Sequence, residues 1–61
     1  MTKDEAVEEL KRRGFDAHKM DGIVMVRTAD TERQTYSAVK RAIKEMGYNA
    51  SWGVYATDNS I

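Results

Sequence analysis

The chain has no cysteine, which excludes a disulfide framework and a thiolate zinc site as sources of stability. At 61 residues a domain hides only about 60% of the surface its unfolded chain exposes, so no deep, dry active-site cavity is expected and the apolar core alone has to hold the fold. Charge of one sign is missing too. Ten Lys and Arg balance ten Asp and Glu, so no global field draws nucleic acid or an anionic membrane. Long hydrophobic runs are absent: the longest aliphatic stretch, Ile23 to Val26, is far too short to span a bilayer. The opening MTKDEAVEEL is acidic and amphipathic, where a secretory signal is basic and then apolar. These features predict a soluble, cytoplasmic protein. With 41% apolar and 33% charged residues, the composition is that of a folded domain rather than a disordered segment.

What is present is organised around Thr31 to Met46. Tyr36, Val39, Ile43 and Met46 recur at spacings of three and four, with Ala42 beside them, which predicts a helix with one apolar stripe. Asp30 or Thr31 is expected to cap it, and Thr31-x-x-Gln34 has capping-box spacing. A first helix is expected over Thr2 to Arg13, opened by the capping box Thr2-x-x-Glu5 and burying Ala6, Val7 and Leu10. Its acidic residues crowd the start and Lys11, Arg12 and Arg13 the end, as the helix dipole favours. Gly14 and Gly47 are placed to stop the two helices in the left-handed cap conformation.

Phe15 to Met20 reads as an edge strand carrying Asp16, His18 and Lys19. Asp21-Gly22 is a two-residue hairpin signal. Ile23 to Thr28 follows as a central strand, apolar on both faces. Tyr48 to Thr57 is expected as a third strand, and 58–61 as a fraying tail. The two halves share a pattern at constant offset, LKRRGFDA at Leu10–Ala17 and IKEMGYNA at Ile43–Ala50, so both helix-to-strand junctions are expected to be built alike. The whole is a single α+β domain over residues 1–61, ordered α-β-β-α-β, with two roughly antiparallel helices packed on one face of a three-stranded sheet. Sheet order 1-2-3 is preferred over 2-1-3 because the most apolar strand then lies in the middle.

Helices cover only one sheet face, so Val24 and Val26, or else Ile23 and Met25, must point away from them. An uncovered aliphatic strip beside Tyr55 marks an association surface, and the candidate protein-binding residues are Val24, Val26, Tyr55 and Trp52. Trp52, the sole tryptophan, falls by alternation on the face opposite Tyr55, where it could instead fill the core. The partner is expected to be another protein or a second copy. Lys40, Arg41 and Lys44 are the alternative, as a weak nucleic-acid contact set, but nucleic acid is not the expected partner. Antiparallel helices would carry them away from Lys11, Arg12 and Arg13, and Glu8, Glu9 and Glu45 intervene, so solvated, dipole-matched helix ends are the plainer reading. No recognition motif of helix-turn-helix or RNP type is present. His18 is the sole histidine, with Asp16 two residues away on the same strand face. A metal site takes three or four such ligands, and acid–base work takes a partnered group in a pocket, so neither a metal, a cofactor nor catalysis is expected.

The order is that of a ferredoxin-like domain, β-α-β-β-α-β, lacking its first strand. In that fold the absent strand sits between the second and third strands of this chain, so either the sheet closes up or something else fills the slot. The segments IKEMGYNASWGV, GFDA and DGIVMV resemble short proteins carried by phages and integrated elements of Gram-positive bacteria. The resemblance implies an accessory protein that regulates or inhibits a host protein. It brings no catalytic or ligand residue with it.

Overall fold

A computed structural model describes residues 1–29 and 32–56. The expected Asp30 or Thr31 cap, the Thr31-x-x-Gln34 box and the 58–61 tail lie outside the described residues. The elements run α1 (Lys3–Arg12), β1 (Asp16–Met20), β2 (Ile23–Thr28), α2 (Glu32–Met46) and β3 (Trp52–Ala56). They form an α+β fold with both helices on one side of a mixed three-stranded sheet of order β1-β2-β3.

The capping box forms as its spacing requires. Glu5 N donates to Thr2 Oγ1 at 3.1 Å and Thr2 N donates to Glu5 Oε1 at 2.8 Å, so two amides that the first turn leaves without partners are satisfied by side chains. At the hairpin, Asp21 and Gly22 have φ of 54° and 78°, the positive values that a two-residue turn of this twist demands. That turn sets the β1–β2 register, from Met20 opposite Ile23 to Asp16 opposite Arg27.

The shared eight-residue pattern is one structural device used twice. Phe15 N donates to Leu10 O at 3.0 Å and Gly14 N to Lys11 O at 3.0 Å. In the second copy Tyr48 N donates to Ile43 O at 3.2 Å and Gly47 N to Lys44 O at 3.2 Å. Both are the paired bonds of a Schellman motif, with glycine at φ of 98° and 79° and an aromatic residue folded back onto the end of its helix.

The junctions then diverge. β1 begins directly after Phe15, whereas β3 begins at Trp52 and not, as the pattern predicts, at Tyr48. The parallel register pairs Val24 with Trp52, so residues 48–50 lie beyond the start of β2 and have no strand to pair with. Tyr48 is buried instead, and its phenol hydroxyl donates to Ser51 O at 3.3 Å as the chain passes around the ring.

Direct pairing of β2 with β3 closes the slot that a missing ferredoxin-like strand would leave. The core between sheet and helices consists of Ala6, Val7 and Leu10 from α1, Val39, Ala42 and Ile43 from α2, Ala17, Val24 and Val26 from the sheet, and Tyr48. The connectivity runs the helices in opposite senses: α1 starts beside the hairpin end, where Lys19 Nζ meets Asp4 Oδ1 at 2.9 Å, and α2 at the other end of β2, where Thr35 meets Thr28. One ion pair nevertheless joins their C-terminal ends. Arg13 Nη1 reaches Glu45 Oε1 in the last turn of α2 at 2.9 Å, and Arg13 Nε reaches Glu9 Oε2 at 3.0 Å. Hydrogen bonds that Arg13 donates to Glu45 and then to Glu9 raise its pKa above the ordinary value.

Candidate functional site

Alternation along the strands sorts every sheet residue to one of two faces. Ala17, Val24, Val26, Trp52 and Val54 lie under the helices. Asp16, His18 and Met20 of β1, Ile23, Met25 and Arg27 of β2, and Gly53 and Tyr55 of β3 share the uncovered face. Val24 and Val26, expected as contact residues, are 0% and 1% exposed and belong to the core. The other register of the IVMV run faces outward. The signal that decides this is the hairpin register: it sets Asp16 opposite Arg27, two charges that cannot both sit under a helix, and so Ala17 and Val26 must go inside.

The uncovered face is graded. At one end Arg27 Nε donates to Asp16 Oδ2 at 2.7 Å. Tyr55 crosses β2 to place its hydroxyl 3.0 Å from His18 Nε2, ring edge to ring face with centroids 5.7 Å apart. His18, although on an edge strand, is thereby half-buried and partnered. At the other end Met20 and Ile23 are 43% and 39% exposed. Between them Met25 lies across the strand towards Gly53, its Sδ 3.1 Å from where a β-carbon on that glycine would stand. Tyr55 is on this face as alternation predicts. No strand among the described residues pairs with the outer edges of β1 and β3.

Trp52 is on the opposite side of the sheet from Tyr55. It packs against the core while stacking on Tyr36 of α2, centroids 4.9 Å apart and planes tilted by 33°. Tyr36, expected within the buried stripe of α2, is 47% exposed, because α2 lies over the edge strand β3 and the stripe outruns the sheet. Lys40, Arg41 and Lys44 are all exposed on α2. Arg33, which the sequence reading passed over, is exposed as well, and the spacing 33, 40, 44 would have placed it in line with them.

No three His, Asp or Glu side chains among the described residues gather as a metal-ligand set. A groove of about 370 Å³ opens between the α1–β1 junction and the first half of α2. Its charged members, Asp16 and Arg27, are paired with each other, and the hydroxyls of Thr28 and Thr35 meet at 2.8 Å. No helix of the described residues is long and apolar enough to cross a membrane. Compared with protein-family models, curated proteins and solved structures, the chain finds no match.

Proposed function

We propose that this chain is a non-enzymatic protein-binding module that pairs with a second copy of itself through the uncovered sheet face. The observation that carries the reading is the one-sided placement of the helices, which leaves Met20, Ile23, Met25 and Tyr55 together on a face with no covering layer. Apolar side chains gathered on an uncovered face gain burial when a second copy meets them. Among the described residues the charges on that face are Asp16 and Arg27, which already neutralise one another, so two copies meet there without repulsion, as an isologous contact requires. Three strands about 4.8 Å apart and five residues long at about 3.3 Å each give a footprint of roughly 230 Å². That is far below the ~800 Å² per partner of a standard interface, so the dimer is weak. The resemblance to proteins of phages and integrated elements supports the same class of action, in which a small accessory domain regulates or inhibits a host protein by contact rather than by chemistry.

Sedimentation equilibrium across a wide concentration range tests it. The expected result is an apparent mass rising towards that of a dimer, and a monomer at every concentration for the double variant Met20→Lys, Ile23→Lys with unchanged circular dichroism. A strict monomer for the parent chain, or a double variant that associates as the parent does, overturns the reading.

A further inference from the structure

The side of the molecule away from the uncovered sheet face carries a second feature. Arg33, Lys40, Arg41 and Lys44 recur at offsets of seven, eight and eleven residues, which confines them to an arc of about 100° along roughly 16 Å of α2. The ion pairs of the chain make the stripe distinctive. Lys11 pairs with Glu8, Arg12 with Glu9, Arg13 with Glu9 and Glu45, Lys19 with Asp4 and Arg27 with Asp16. Among the described residues no carboxylate pairs with any of the four cations on α2. A chain of zero formal charge thus presents a concentrated positive strip, unpaired among the described residues.

Three polyanionic surfaces could meet such a strip, and the surroundings discriminate among them. The acidic helix α1 of a second copy offers no surplus, because Asp4, Glu8 and Glu9 are spent on their own cations and Glu5 on the Thr2 cap. A lipid surface is held by a basic helix that also inserts an apolar face, and the apolar face of α2 is consumed by Val39, Ala42 and Ile43 in the core. Nucleic acid needs phosphate contacts and, when single-stranded, an aromatic surface for a base. Tyr36 supplies that surface. It follows Arg33 by three residues and precedes Lys40 by four, so it adjoins the stripe on the helix. The residue is 47% exposed and its ring is backed by Trp52 at 4.9 Å, which holds it in place against an incoming base.

We infer that the outer face of α2 is a binding site for single-stranded nucleic acid. Arg33, Lys40, Arg41 and Lys44 engage the phosphates, and Tyr36, braced by Trp52, stacks one base. The stripe spans about four nucleotides, the low end of the range for such sites, so binding is weak, salt-dependent and indifferent to sequence.

Trp52 is the sole tryptophan and touches the stacking ring, so its fluorescence reports the event directly. The full chain is titrated with an oligothymidylate of about 12 nucleotides, with a duplex of equal length and with phosphatidylglycerol vesicles, from about 20 to 200 mM salt. Saturable quenching by the single strand is expected, with log K falling against log salt at a slope of about −3 for four phosphates. Anisotropy of a labelled oligonucleotide reads the variants. Lys40→Ala with Lys44→Ala should reduce the slope by about 1.4, and Tyr36→Leu should weaken binding about tenfold at unchanged slope. Circular dichroism confirms that each variant is folded. No binding at low salt, duplex or vesicles bound as tightly as the single strand, a slope unmoved by the lysine pair, or full affinity in Tyr36→Leu each overturns the assignment.

Discussion

Ile23 and Val26 are three residues apart on one strand, similar in volume and β-propensity, and opposite in role. Val26 is sealed under the helices, so a carboxylate there would be buried without a partner, a cost of several kcal/mol. A 61-residue core supplies roughly 3–5 kcal/mol in all. Val26→Asp is therefore expected to unfold the chain, whereas Ile23→Lys, with its ammonium in water, should change stability by no more than about 0.5 kcal/mol; urea denaturation followed by far-ultraviolet circular dichroism distinguishes the two. Gly47 and Gly53 make a similar contrast. Gly47→Ala forces a β-carbon into the left-handed region and should cost about 1–2 kcal/mol. Gly53→Ala meets only the mobile end of Met25, which can turn aside, so a near-neutral midpoint is expected.

At the scale of elements, α1 is held by its ends as much as by its stripe. Removing the hydroxyl in Thr2→Ala leaves the Glu5 amide without its acceptor and should cost about 1 kcal/mol, measured as a shift in urea midpoint at constant slope. The helices, the hairpin, β2 and both glycine stops were legible because each rests on local signals: a 3.6-residue stripe, a capping pair, a turn that tolerates positive φ. The start of β3 was not legible. Residues 48–51 look like a strand and repeat a sequence that does precede one, yet a strand exists only where a neighbour supplies hydrogen bonds, and β2 begins too late to supply them. The same limit applies to α2, whose apolar stripe predicts a buried Tyr36 until the width of the sheet beneath it is known.

For the whole molecule, a weak dimer through the sheet face makes apparent stability depend on concentration by mass action. The thermal midpoint of the parent chain should rise as protein concentration is raised a hundredfold, and that of Met20→Lys, Ile23→Lys should stay constant; calorimetry at two concentrations reads both. The two proposed surfaces lie on opposite layers, one on the sheet and one on the outer face of α2, so neither occludes the other.

The sequence by itself determined the class of fold, the order of its elements, the cap of α1, the glycine stops of both helices and the central place of β2, because spacing, capping and turn chemistry act between near neighbours along the chain. It did not determine which register of Ile23–Val26 faces inward, where β3 starts, or which cations stay unpaired. Those depend on groups distant in sequence meeting in space: Asp16 with Arg27 across the hairpin, Trp52 with Val24 across the parallel pair, and Arg13 with Glu45 between helices. That last contact uses a carboxylate of α2 that would otherwise offset its own basic face, and only the packed molecule assigns it elsewhere.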